Sequence, residues 1–170
     1  MRASTLWRVN WALLLLHAAG VIVAWSDLPR RMPVHFNFSG DPGAWAQTSL
    51  ASWFALLLIS VAVSAFVYAV STYAPLERWN IPEKERFLRL SAQQRLPVLE
   101  LLHAFMAMAA ICCTVVLSVL QLGLYLVARG YTARLPWYIT GVMYCAIILL
   151  LVGVVPWSRA VRRAVRQTVS

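Results

Sequence analysis

Three groups of residues in this chain have types and spacing that chemistry could use. The first lies in a polar segment, residues 28–45, where His35, Asn37, Gly40, Asp41 and Trp45 stand among Pro29, Pro33, Pro42 and Gly43. An imidazole, a carboxamide and a carboxylate this close together could converge on a ligand, a metal or a peptide. One His and one Asp make an incomplete metal site, so no metal is expected there. Hydrogen bonding within the loop is the favoured use, and recognition of an outside partner is the next. Asp41-Pro42-Gly43 reads as a tight turn, with Pro42 pre-setting φ and Gly43 accepting a positive φ. Pro29 and Pro33 stiffen the approach, and Phe36, Phe38 and Trp45 supply apolar feet, so a compact, re-entrant or interface-packed loop is expected. Asn37-Phe38-Ser39 also matches a glycosylation acceptor, a use disfavoured by its closeness to the membrane.

The second group is Glu100-Leu-Leu-His103. Glu and His at i, i+3 share a helix face, as they do in di-iron bundles, but such sites need a second copy that this chain lacks. Solvation of Glu100, or pairing with Arg95, is expected instead. The third is His17, an ionisable residue in the middle of an apolar stretch and therefore a functional candidate by default. A neutral, hydrogen-bonded His17 is expected, with Gln121 and Thr114 as candidate partners. The helical rise sets His17 and His103 about 10 Å apart in depth, so they are not expected to share a site. The acids are Asp27, Asp41, Glu77, Glu83, Glu85 and Glu100, none of them deep in an apolar stretch, which argues against a proton-coupled transporter. Four unbroken, unrepeated stretches also argue against a secondary transporter. There is no Ser/His/Asp set and no phosphate loop. Cys112, Cys113 and Cys145 read as small packing residues.

The elements that must position these residues follow from composition. Of 170 residues, 61% are hydrophobic and 12% charged, far from soluble averages. Stretches at about 6–26, 50–73, 99–128 and 135–157 are each long enough to cross a hydrocarbon core. The expected fold is an all-α integral membrane protein, one domain over 1–170 with four transmembrane helices. The first stretch is read as a retained anchor rather than a cleaved signal peptide, being long and carrying Trp at both ends. Loop 27–49 then lies on one side, and loop 74–98 and the tail 158–170 on the other. Eleven basic residues fall with the N-terminus, loop 74–98 and tail, against Arg30, Arg31, Arg129 and Arg134 opposite. The positive-inside rule makes both termini cytoplasmic and loop 27–49 extracytoplasmic. The net charge of +9 is thereby assigned to anionic headgroups, and nucleic acid is not an expected partner. Trp7, Trp25, Trp53, Trp79, Trp137 and Trp157 fall near the expected helix ends, as an aromatic belt would.

Finer signals refine the connections. Ser60 and Ser64 form a small-xxx-small pair suited to close helix contact. Asn80 with Glu83, and Pro82 in the first turn, predict a short capped helix lying in the cytoplasmic interface, with Pro97 separating it from the third span. Residues 129–134 make a link short enough to force antiparallel neighbours, with Gly130 ending one helix and Pro136 starting the next. The tail is expected to continue as a basic amphipathic helix on the membrane surface.

The pattern Leu28-Pro-x-x-x-Pro-x-His35-Phe-Asn-x-x-Gly40-x-Pro-x-x-Trp45, set between two helices, resembles the signature of a bacterial membrane-domain family of unknown function. That domain also forms the N-terminal part of the Sdp-type toxin-immunity proteins. Asn80-Ile-Pro-Glu-Lys84-Glu-Arg-Phe-Leu88 is similar to a second segment of its small members. The resemblance covers roughly residues 6–100 and implies a multi-pass protein of the bacterial cytoplasmic (inner) membrane. In the immunity branch it implies protection against a secreted peptide and signalling to a regulator. The leading expectation is a non-catalytic protein whose outer loop recognises a peptide, a lipid or a membrane subunit, in an immunity-like, signalling or accessory role. The alternative is a small membrane enzyme or metal-dependent factor using His35 with His17 or Glu100/His103. No cofactor is expected, and the oligomeric state is open. Topology is directly testable: in separate Ser39→Cys and Gln93→Cys variants, a membrane-impermeant maleimide is expected to label only Ser39→Cys in intact cells. Labelling of both from the same side would sink the assignment.

Overall fold

A computed structural model describes residues 2–167. Four helices are long and apolar enough to span a bilayer: α1 (Ala3–Trp25), α2 (Leu50–Tyr73), α4 (Ala92–Ala128) and α5 (Trp137–Gln167). Between them lie a hairpin of β1 (Arg31–Phe36) and β2 (Pro42–Gln47), and a loop holding a 3-10 turn, Leu76–Arg78, and α3 (Lys84–Arg89). Leu15, Leu16, Phe66, Leu149 and Val152 are all exposed on the outer faces of the spans. Side chains of this kind around the whole circumference need hydrocarbon as solvent, and the chain is a multi-pass membrane protein by helix length and composition.

The central element is α4, which touches α1, α2, α5 and β1. It runs parallel to α1, as two contacts at opposite ends show. The Ala3 amide donates to Glu100 Oε1 (2.6 Å) at one end, and Arg129 Nη1 donates to the Asp27 carbonyl (2.6 Å) at the other. Buried positions recur at a seven-residue spacing on both helices, Ala3, Asn10 and His17 facing Ala107, Thr114 and Gln121. That spacing keeps one stripe toward the partner along a shared seam. Midway along it, Thr114 Oγ1 donates to Asn10 Oδ1 (2.9 Å) and lies 3.3 Å from Ser64 Oγ of α2. One hydrogen-bonded layer therefore joins three helices. Thr114 is bonded to Asn10 rather than to His17, its expected partner.

α4 measures about 55 Å at 1.5 Å per residue, well beyond a hydrocarbon core. The expected boundary at Pro97 does not form. Ser91 and Gln94 complete a capping box, so the helix starts at Ala92 and runs through the proline, which forfeits one backbone bond. α5 likewise continues through Pro156 instead of stopping near Trp157. Val161 and Val165 of this extension pack with Ile81, Phe87, Leu90, Val98 and Leu102 in an apolar cluster. The apolar face expected to rest on a membrane surface is thus covered by protein; residues 168–170 of the expected tail lie outside the described residues.

The expected Asn80–Glu83 cap is also absent. Glu83 is itself the N-cap of α3, at φ 60, and its carboxylate is held by Arg86 (3.0 Å) and Arg166 (2.7 Å). The Arg166 hydrogen bond holds the Glu83 carboxyl below its ordinary value. A lowered value means that this tie is fully present above the ordinary glutamate pKa and is lost as pH falls through the folded value. Two tryptophans expected in the belt serve packing instead: Trp7 is buried, and Trp53, also buried, donates its indole N–H to the Val21 carbonyl (2.9 Å).

The interhelical layer yields a stability prediction. Thr114→Val strands the Asn10 carboxamide and is expected to cost about 0.5–2 kcal/mol in detergent unfolding titrations. The double variant Asn10→Leu/Thr114→Val is expected to cost less than the sum of its single changes; strict additivity would show that the two residues do not interact.

Candidate functional site

Among the described residues, the one sheet in an otherwise helical chain is the segment that carries the candidate chemistry. β1 and β2 pair antiparallel, with register irregularities between Pro33 and His35 and between His35 and Phe36. The reversal falls at 37–41 and not at Asp41-Pro42-Gly43 as expected. Asn37 N–H donates to the Asp41 carbonyl (3.0 Å), Gly40 N–H to the Asn37 carbonyl (3.0 Å), and Asp41 N–H to Asn37 Oδ1 (2.9 Å). Asn37 Nδ2 lies 3.4 Å from Asp41 Oδ2. The Asn37 side chain therefore closes the loop by accepting from the amide four residues on. Gly40 takes the positive φ, 81°, that the reversal needs, while Pro42 and Gly43 enter β2.

The three polar side chains thus do not converge. Asn37 and Asp41 satisfy each other, whereas the exposed His35 ring lies across Gly43, where a Cβ would come within 2.9 Å of its Cδ2. Among the described residues, no three His, Cys, Asp or Glu side chains are grouped to hold a metal. Of the three apolar feet, Phe36 packs inward near Met32 and Trp53; Phe38 is fully exposed and Trp45 is partly so.

The hairpin is pinned to the helices at several points. Gly40 accepts the Leu135 amide N–H (2.7 Å), tying the turn to the link before α5. A Cβ on Gly40 would sit 3.2 Å from both the Cβ and carbonyl of Leu135. Thr48 closes the base, its hydroxyl donating to the Pro29 carbonyl (2.6 Å) and its amide to that of Arg30 (3.0 Å). Met32 is buried with Trp53, Leu57 and Leu124. Arg129, which also holds Asp27, has its pKa pushed up by a hydrogen bond to Tyr131.

Beneath the hairpin, among α2, α4 and α5, is a cavity of about 560 Å³. His35, Asn37, Gly40 and Phe38 border it from above, and Thr140 and Tyr144 add hydroxyls from α5. Asp41 and Trp45 are not in its wall. The remaining candidates lie elsewhere. Glu100 accepts from the first turn of α1 and not from Arg95, whose Nη2 donates to the Leu88 carbonyl (2.6 Å). His103 lies against Trp79, with ring centroids 6.2 Å apart. His17 and Gln121 line a different groove, between α1 and α4. Cys112, Cys113 and Cys145 are free thiols within helices.

Asn10 was not among the sequence candidates, nor were Thr140 and Tyr144. The signal for Asn10 is its place seven residues before His17, matching the spacing of Thr114 and Gln121. Nothing comparable marks Thr140 and Tyr144, which reach the cavity from α5.

Fold and site together define a four-span membrane protein with a pinned hairpin between its first two spans. Residues 12–60, from α1 through the hairpin into α2, match a domain of unknown function (DUF1648). Neither a curated protein nor a solved structure matches the chain. The matched segment coincides with the part of the molecule in which hairpin, α1 and α2 meet.

Gly40→Ala is expected to lower stability by about 1–3 kcal/mol, through its positive φ and its closeness to Leu135. Ser39→Ala, at the exposed neighbouring position, is expected to change it by less than about 0.5 kcal/mol. Thermal unfolding in detergent compares them; equal melting temperatures would contradict the pinned turn.

Proposed function

We propose that this protein is a non-catalytic inner-membrane protein of bacteria, with cytoplasmic termini, whose extracytoplasmic hairpin recognises a peptide or another membrane subunit. The observation that carries the reading is the hairpin itself: an ordered two-stranded sheet, pinned through Gly40 and Thr48, that presents Phe38 and Trp45 outward. Apolar rings on a pre-organised element lose little entropy on binding, so their exposure suits recognition better than packing. Among the described residues no strand lies on the far side of β2, so an extended peptide could add there by backbone pairing, with side chains giving specificity. The match to DUF1648 supports a membrane domain, and the motif's resemblance to the N-terminal part of Sdp-type immunity proteins supports a peptide as the partner class. An immunity-like or signalling role follows from that reading, and an accessory-subunit role follows if the partner is a membrane protein. The apolar cluster around Phe87 joins α3 to the ends of α4 and α5, which supports a cytoplasmic platform on the opposite side.

Photo-crosslinking tests this. The photoreactive residue p-benzoylphenylalanine is introduced in place of Phe38, of Trp45, or of Leu151 on the outer face of α5, in producing cells. Discrete protein or peptide adducts are expected from the two hairpin positions and not from Leu151. Lipid adducts alone at all three positions would overturn the reading.

A further inference from the structure

The groove between α1 and α4 is used neither by the hairpin nor by its proposed role. Its volume is about 640 Å³, within the range of small-molecule sites, and Trp53 of α2 contributes to its wall. His17 and Gln121 line it and are 6% and 4% exposed. Neither His17 nitrogen, and neither the nitrogen nor the oxygen of the Gln121 carboxamide, has a hydrogen-bond partner among the described residues. The seam explains their position. Asn10 and Thr114 close the layer two turns away with a 2.9 Å hydrogen bond, and the same spacing brings His17 opposite Gln121. There Gly20 and Ser118 keep the helices' facing sides slim, and the seam opens.

Hydrocarbon cannot satisfy these atoms, so a molecule that fills the groove must carry hydrogen-bonding groups of its own. A neutral imidazole and a carboxamide present donors and acceptors together, and a hydroxyl group, which is both, complements either. His17 lies about 12 Å in from the α1 end at Trp25, at 1.5 Å per residue, a depth that disfavours a charged head. Leu16, Val23 and Leu122 line the groove yet are exposed on the outer face, so the opening leads sideways into lipid. Trp53 and Tyr125, with ring centroids 6.4 Å apart, give the same groove an aromatic wall. These constraints together describe a flat, uncharged ring carrying hydroxyls and an apolar tail.

We propose that this groove binds a lipid-soluble aromatic alcohol of the quinol class, its hydroxyls bonded to His17 and Gln121 and its tail against Leu13 and Leu16. The proposal concerns binding and includes no redox step, and it stands whether or not the hairpin binds a peptide.

The test uses the full chain in phosphatidylcholine nanodiscs, titrated under argon with decylubiquinol and followed by tryptophan fluorescence. Saturable quenching is expected from the wild type. His17→Phe and Gln121→Leu are each expected to weaken it about tenfold or more, the worth of one lost hydrogen bond. Both variants are expected to melt at or above the wild-type temperature, because each removes a polar group that the protein itself leaves unpartnered. Dioctanoylglycerol, an aliphatic alcohol, is expected not to displace the probe. Linear, non-saturating quenching of the wild type would overturn the proposal, and so would affinity unchanged in both variants or displacement by dioctanoylglycerol. The wild-type titration can overturn the proposal even where a variant does not fold.

Discussion

Asn10, Thr114 and Ser64 form the layer on which the arrangement of α1, α2 and α4 depends. Between apolar helices in lipid there is no hydrophobic drive toward a particular register, because a leucine is as well solvated outside the bundle as inside. A polar side chain changes that. Displaced along the seam, Asn10 would lose Thr114, the hydrogen-bond partner of its Oδ1, where hydrocarbon offers no replacement. The 2.9 Å bond to Thr114 therefore selects one longitudinal position of α1 against α4, and Ser64 extends the choice to α2. The other contacts agree with that register: Ala3 with Glu100 at one end, and Asp27 with Arg129 at the other.

From this seam the molecule differs at its two ends. At one end α4 and α5 both outrun the hydrocarbon thickness and close, with α3, over Phe87, Val98, Val161 and Val165. This part resembles a small soluble core, with helices buried on one side and charged on the other. Glu83, gripped by Arg86 and Arg166, ties the loop to the end of α5. At the other end the spans are topped by a hairpin whose turn is bonded to the α4–α5 link through Gly40 and Leu135. α5 is pinned at both extremities, and between them few of its side chains, Ile139 and Ala146 among them, are buried inside the protein, so lipid supplies most of its surroundings.

The spans were legible in the sequence because composition alone carries them; α2 falls at 50–73 as expected. What escaped was decided by local competition. Pro97 read as a boundary, yet a proline in the second turn sacrifices one hydrogen bond while the Ser91–Gln94 box secures the start. Pro156 misled similarly, because the gain from burying Val161 and Val165 is tertiary and leaves no trace in local propensity. The hairpin was hidden by Pro33 inside β1, which demotes a strand reading, and by register irregularities that spoil alternation. Gly40 was singled out as a partner-binding residue; its visible work is conformational: it turns the chain and admits Leu135. In the sequence, His35, Asn37 and Asp41 read as bonding within the loop or else converging on an outside ligand; the Asn37–Asp41 contacts are of the first kind, and His35 lies apart across Gly43.

The same spacing that closes the seam at Asn10 leaves it open at His17, and the contrast bears on where function can reside in so small a membrane protein. A polar pair that seals a helix contact is spent on structure, as the Thr114 hydroxyl and Asn10 Oδ1 are by bonding each other. A polar pair that stays unpartnered at 6% and 4% exposure carries a desolvation cost that a self-contained bundle would shed by substituting leucine. Nothing in helix packing uses histidine and glutamine there, because the seam is open beside Gly20, where a Cβ would meet nothing within 4 Å. The hairpin follows the same logic from the opposite direction. Its interior polar groups are paired, its turn is pinned, and what remains unspent is the apolar surface of Phe38 and the open side of β2. In both places the chain holds interaction capacity that its own fold does not consume. The two lie on different faces of α4, one toward α1 and the other toward α5, so each can be occupied without rearranging the Asn10 layer that fixes both.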